Sequence, residues 1–246
     1  MNFQGFFSFL IVIISHEHQF IFIKTHKTAG TSLEILLSGI CGNKDIIVRH
    51  KDVNAHQLRE DLGIRGPQND LIPVLKYQLQ DWKQLIKNGT RRSFKSHETA
   101  TYVKRYLRRK VWKDYYKFCF ERDPYERLIS FAHFYRARRG AQGTINDIIP
   151  QIIRQRGPHS TFYRLEDKVL VDRVYPYEKL HEALVDISQK INLKENLDIS
   201  NIQAKGSFRT DRRPASQVLS RETISLINES QKDVFELMGY PMLEPK

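Results

Sequence analysis

Near the start of the chain the apolar residues change their spacing. Positions 19–24 (QFIFIK) form a compact β-rich run, a loop of threonine and glycine follows, and Leu33, Leu36 and Leu37 then recur at helical spacing. The pattern predicts strand, loop, helix. Thr31 and Glu34 stand three apart just ahead of that apolar stripe, the spacing of a capping box, so Thr31 is the expected N-cap. A second unit of the same kind begins at 116–121 (YKFCFE) and continues through Arg122, Asp123 and Pro124 into Leu128, Ile129, Phe131, Ala132 and Phe134. Asp123 as N-cap, Pro124 at the first helical position and Glu126 at the third specify this helix start well.

Between the two units, 43–92 reads as loop-rich, with Gly63, Gly66 and Pro67 as breakers, and 99–109 reads as a helix with a basic solvent face. Beyond residue 140 the pattern predicts a helix around 145–154, a strand at 169–174, a helix at 178–191, a loop centred on 205–214 and a last helix at 221–238. No internal repeat is present. Strands separated by helical segments predict the α/β class: a single domain with a central parallel sheet flanked by helices, its ligands at the carboxyl ends of the strands. A chain of 246 residues fits one core. The domain is expected over 14–246, with 1–13 an N-terminal extension or an extra strand. The apolar stretch 6–14 is too short for a bilayer span of ~20 residues, and no basic residue precedes it as in a signal peptide. A cytoplasmic protein without a stable membrane anchor is the expectation.

Charge narrows the partners. The chain carries 40 Lys and Arg against 28 Asp and Glu, a formal net charge of +12, which creates a field that gathers anions. Nucleic acid, an acidic glycan, an anionic membrane and a phosphorylated cofactor would all satisfy that field, so only motifs can choose among them. The two cysteines, Cys41 and Cys119, imply no disulfide framework, and Cys119 lies in an apolar run that suits a buried, inert thiol. Neither has the companions of a zinc site, His16 and His18 read as strand-flanking polar residues, and no structural metal is expected.

The segment from His26 to Ser32 (HKTAGTS) places one lysine, one glycine and three hydroxyls between a strand and a helix N-terminus. Backbone N–H groups and the positive end of the helix dipole face whatever occupies such a loop, and glycine lets the backbone approach it closely. A phosphate or sulfate suits it. The order differs from a Walker A loop, in which the lysine follows the glycines, and an ordinary ATPase is therefore disfavoured. Lys27, Thr28, Ala29, Gly30, Thr31 and Ser32 resemble the 5′-phosphosulfate loop of sulfotransferases that use 3′-phosphoadenosine 5′-phosphosulfate (PAPS), particularly the carbohydrate-modifying branch, with its K-T-A-[GS]-T-S pattern. The run from Arg122 to Ser130 (RDPYERLIS) resembles the same family's 3′-phosphate element, R-[DN]-P-[YW]-x-R-x-x-S.

The resemblance implies roles. Arg122 and Ser130 would hold the 3′-phosphate, a task suited to a guanidinium that grips phosphate oxygens with parallel charge-assisted bonds. Lys27 would stabilise the leaving phosphate, while Thr28, Thr31 and Ser32 orient the phosphosulfate. Lys205, Gly206, Ser207, Phe208 and Arg209 look like the basic loop that closes over the nucleotide late in such chains. Tyr177, Glu178, Lys179 and Leu180 are similar to the family's YE-x-L element. No metal is implied. The acceptor oxygen must lose a proton, and His97 is the candidate base, with Glu98 in reserve. His26 and His50 are candidates for the acceptor site. The acceptor itself is expected to be a glycan or a small hydroxyl compound, acidic rather than basic, and not nucleic acid. Two rivals share parts of the pattern. A P-loop kinase-like phosphotransferase should need Mg²⁺ and an acidic ligand, for which no Walker B strand is evident. A non-enzymatic basic polyanion-binding module would leave the two ordered phosphate motifs unexplained.

Overall fold

The apolar runs become a sheet whose inner strands are buried on both faces. A computed structural model describes residues 12–49, 53–94, 99–202, 211 and 213–245. In chain order its elements are β1 (Val12–Ser15), β2 (Phe20–Ile23), α1 (Gly30–Gly39), β3 (Ile46–Ile47), α2 (Val53–Asp61), α3 (Leu79–Asn88), α4 (Ala100–Tyr106), α5 (Arg109–Asp114) and β4 (Tyr116–Glu121). They continue with α6 (Pro124–Arg139), α7 (Ile145–Arg156), β5 (Arg164–Leu165), β6 (Lys168–Val169), β7 (Arg173–Pro176), α8 (Leu180–Lys190), α9 (Ala215–Val218), α10 (Arg221–Ser230) and α11 (Lys232–Met238).

Five strands form the central sheet in the order β3-β1-β2-β4-β7. β2, β4 and β7 run parallel, with Phe22 opposite Phe118 and Phe120 opposite Tyr175. β1 runs antiparallel to both β2 and β3. The sheet is therefore mixed, and the parallel arrangement expected from the sequence is confined to three strands. The turn at 16–19 is too short for a crossover and returns the chain from β1 into an antiparallel neighbour. All four residues of β1 are buried, and the boundary expected after residue 13 falls inside it.

The FIFI run of β2 is buried at every position, as a strand covered on both faces requires. Aromatic rings join the parallel strands: Phe22 of β2 and Phe118 of β4 lie 5.4 Å apart, and Phe120 of β4 and Tyr175 of β7 lie 5.5 Å apart. Leu33 and Leu37 of α1, Val103 of α4 and Leu184 and Ile187 of α8 complete the main core. A second apolar cluster joins Leu128 and Ile129 of α6, Ile148 and Ile152 of α7, Ile227 of α10 and Phe235 of α11.

Element boundaries differ from the sequence reading where tertiary contacts decide them. The stretch 43–92, expected to be loop-rich, contains α2, α3 and a 3-10 turn at Val74–Lys76. α3 starts where the Asp81 carboxylate accepts the Gln78 N–H at 2.9 Å and stops at Gly89, whose φ of 64° only glycine adopts freely. The expected strand at 169–174 is divided between the β5–β6 hairpin and β7. The last helix is broken at Gln231, whose amide is drawn inward to bond Arg127. The helix over 99–109 breaks at Leu107 into α4 and α5, with Lys104 and Arg105 exposed as expected.

Candidate active site

β2, β4 and β7 point the same way, so their carboxyl ends place three connections side by side: 24–29 after β2, Arg122–Asp123 after β4 and Tyr177–Glu178 after β7. In the first, Lys27 and Ala29 adopt left-handed backbone with φ of 62° and 53°, a region that residues with a side chain seldom occupy. These reversals turn the chain into the start of α1, where the positive end of the helix dipole lies. The first helical bond runs from Leu33 N–H to Ala29 C=O at 3.1 Å, so the amides ahead of Leu33 have no carbonyl partner four residues back within the helix.

Ala29 is therefore the N-cap, not Thr31, and it offers no side-chain cap. Glu34 does not reach back because it is buried and held elsewhere, by Lys24 at 3.0 Å and by Arg59 of α2. Lys24 lies beneath the loop, with its Nζ 3.3 Å from Thr31 Oγ1. A Cβ at position 30 would stand 2.6 Å from Lys24 Cγ, so a larger residue there would have to displace the buried Lys24 side chain. Thr28 is buried, and its hydroxyl lies 3.0 Å from that of Thr25, which is bonded in turn to the Phe120 carbonyl of β4.

In the second connection Asp123 caps α6 by accepting the Glu126 N–H at 2.9 Å, with Pro124 first in the helix, as its sequence predicts. The Arg122 guanidinium lies over the Tyr177 ring at 4.9 Å and 3.5 Å from Glu126. Glu178 accepts the Asp123 N–H at 3.0 Å, so the segment at 177–180 braces the Arg122 turn. Ser130 is half-buried, two turns along α6 from its start. Phe134 stands one turn beyond Ser130 on the same face, and the Lys27 ammonium sits 4.8 Å from the Phe134 ring centre. Lys27 and the Ser130 face of α6 therefore meet.

Beneath both connections lies a buried polar cluster centred on Glu121, the last residue of β4. Its carboxylate accepts from His159 Nδ1 at 2.7 Å, from the Tyr163 hydroxyl at 3.0 Å and from the Arg122 N–H at 3.0 Å, and it faces Arg127 Nε at 3.2 Å. His159 Nε2 accepts the His26 N–H at 3.1 Å. Burial pushes the Glu121 carboxyl up, but the facing His159 and Arg127 and the bonds it accepts outweigh that and hold it below the usual value. Burial and the Arg127 charge push His159 down. The geometry requires a neutral ring that donates from Nδ1 and accepts at Nε2. Arg127, which on sequence alone could be a solvated helix charge, is buried and also bonds Gln231 at 2.7 Å.

Of the expected site residues, the loop 27–32, Arg122 and Ser130 lie at this one end of the sheet. His97, Glu98, Lys205, Ser207, Phe208 and Arg209, and His50 as well, lie outside the described residues. The His26 ring is buried, packed 5.1 Å from both Phe131 and Phe162, and lines a small cavity with Arg127, Arg156 and His159. Lys24, Arg59, Glu121 and His159 were not singled out from the sequence, and Glu34 only as half of a capping box. An acid inside an apolar strand or helix is the one signal that marks Glu34 and Glu121, and nothing local marks His159. Cys41 and Cys119 are free and buried, and burial pushes both thiols up.

A sheet with parallel strands whose connections converge at its carboxyl edge is the arrangement in which α/β proteins place their ligand sites. The model of the sulfotransferase family matches residues 11–161, more than half of the chain. The chain belongs to the sulfotransferase family, which includes carbohydrate sulfotransferases and whose members transfer sulfuryl groups. No curated protein and no solved structure matches it.

Proposed function

We propose that this chain transfers the sulfuryl group of PAPS to a hydroxyl group, on a carbohydrate acceptor, and releases 3′-phosphoadenosine 5′-phosphate (PAP). The observation that carries the reading is the meeting of the two phosphate motifs: Lys27 lies over Phe134, one helical turn from Ser130, and Arg122 emerges from the neighbouring parallel strand. In this reading the loop 27–32 cradles the 5′-phosphosulfate on its amides, in the manner of a phosphate loop, and Arg122 and Ser130 hold the 3′-phosphate. The basic segment with Lys205, Ser207, Phe208 and Arg209 covers the nucleotide.

The acceptor oxygen attacks sulfur in line as the bond from sulfur to the bridging phosphate oxygen breaks, and negative charge builds on the departing phosphate. Lys27 meets that charge. A cation already fixed by its contact with Phe134 reorganises little as the reaction proceeds, which is where such groups are most effective. The acceptor proton passes to His97, or to Glu98 in its place. Radiolabelled PAPS incubated with the purified chain and a panel of glycans and small alcohols, without added metal, tests the reading. Label transferred to a glycan hydroxyl is expected. Absence of PAPS and PAP binding by calorimetry would refute the donor, and transfer confined to non-carbohydrate hydroxyls would refute the acceptor class.

A further inference from the structure

Away from the site, one helix shows solvent an apolar stripe. Leu75 is 95% exposed, Leu79 81% and Ile86 82%, and Leu71, Val74 and Trp82 are exposed beside them. Isolated exposed apolar residues are ordinary; six within 71–86 are a patch. At 3.6 residues per turn, Leu79, Trp82 and Ile86 share about 60° of the α3 surface, and Lys83 and Lys87 follow within roughly the next 80°. α3 is anchored through other positions. Asp81 is buried against Arg92 and the Tyr106 hydroxyl, and Leu85 packs on the core. The apolar stripe is thus left facing outward, with lysines along one border.

The charge beside the stripe is of one sign. From 71 to 92 the chain carries Lys76, Lys83, Lys87, Arg91 and Arg92 against Asp81 alone, and that carboxylate is buried and paired. A second copy of this chain would be a poor occupant, because a two-fold contact brings a surface against itself and would press lysine borders together. An anionic bilayer surface meets both features. Apolar side chains and a tryptophan enter the headgroup boundary while lysines reach outward to the lipid phosphates. Among the described residues no helix is long and apolar enough to cross a membrane.

We propose that α3 and the turn before it form an interfacial docking surface for anionic phospholipid, entered by Leu75, Leu79, Trp82 and Ile86 and steered by Lys83 and Lys87. The proposal is independent of the donor and acceptor. A net charge of +12 would draw much of the surface toward anionic vesicles, so the test must read insertion at this face. The full chain is mixed with vesicles of phosphatidylserine and phosphatidylcholine, or of phosphatidylcholine alone, some carrying brominated acyl chains that quench buried tryptophan.

Binding is expected on the mixed vesicles, with quenching that disappears in Trp82→Phe, where only Trp112 still reports. Leu75→Gln/Leu79→Gln/Ile86→Gln should weaken partitioning at least ~10-fold, and Lys83→Glu/Lys87→Glu at least ~10-fold on the mixed vesicles alone. All these side chains are at the surface, and circular dichroism verifies the fold of each variant. Quenching unchanged in Trp82→Phe, or undiminished binding by the triple variant, would overturn the proposal. So would a wild-type chain that ignores both vesicles, including one whose solution dimer is lost in the triple variant.

Discussion

Replacing Glu121 with glutamine removes one charge and almost no volume, and the structure states what is left behind. The Arg127 guanidinium, buried and 3.2 Å from that carboxylate, would keep only neutral partners such as Gln231. Breaking one side of a buried ion pair costs about 3–5 kcal/mol, because the remaining charge is stranded without its counterion. In a chain of this length each kcal/mol moves the melting temperature by about 2–4 °C, so Glu121→Gln should melt ~6–20 °C below wild type. Thermal unfolding followed by circular dichroism, with urea titration as a second measure, reads the effect. The charge argument also makes a demand on the double variant. Glu121→Gln/Arg127→Met removes the stranded cation and should recover a substantial part of the loss. A melting point within about 2 °C of wild type for the single variant, or a double variant no more stable than Glu121→Gln, would refute a charged Glu121–Arg127 pair as the centre of the cluster.

Lys27→Ala should lower kcat by roughly 10²–10³-fold, about 3–4 kcal/mol of leaving-group stabilisation, with smaller loss of PAP affinity, measured by steady-state transfer and calorimetry. Arg122→Ala should act chiefly on donor binding, because the 3′-phosphate is remote from the transferred group, and should abolish the preference for 3′-phosphorylated over 3′-dephosphorylated nucleotide in a binding titration. His97→Ala should reduce kcat by about 10²–10⁴-fold with PAP affinity retained, whereas full activity there combined with loss in Glu98→Gln assigns the base to the glutamate. Stability should fall on acidification. The depressed His159 costs stability as pH drops below its unfolded value of about 6.5, by up to about 1.4 kcal/mol per pH unit, and the depressed Glu121 adds its loss lower still. Denaturation midpoints between pH 8 and 5 measure it, and His159→Gln should flatten the upper part of that fall.

What the sequence disclosed was local. The unit from β4 into α6 could be read because each of its signals acts within a few residues: an apolar run, then Asp123 bonding Glu126 three positions on, with proline between them. The loop at 27–32 could be read by composition and order, but its cap was misassigned, since Glu34 answers to Arg59, 25 residues away, rather than to Thr31. α3 was overlooked in a stretch rich in breakers. Its apolar spacing, Leu79, Trp82, Leu85 and Ile86, is helical, yet most of that stripe is not buried, so the pattern did not mark a core. The antiparallel placement of β1 was hidden for another reason. Its apolar residues fit any buried strand, and only the short turn after it restricts how it pairs.

The cluster around Glu121 is the clearest instance of information that no local window contains. One oxygen of its carboxylate holds the Arg122 N–H next in the chain, and the same carboxylate reaches His159, 38 residues on, whose other nitrogen holds the His26 N–H. His26 immediately precedes Lys27. A single buried anion therefore ties down the backbone at the entrance to both connections, and each link in the chain is within 3.1 Å. The parallel pairing of β2 with β4 sets the two turns side by side, but sheet register alone leaves loop backbones free to tilt. The Glu121–His159 link restrains them from below, through groups that are out of reach of solvent. This ties two motifs nearly one hundred residues apart to one buried carboxylate, through residues that lie beneath both connections.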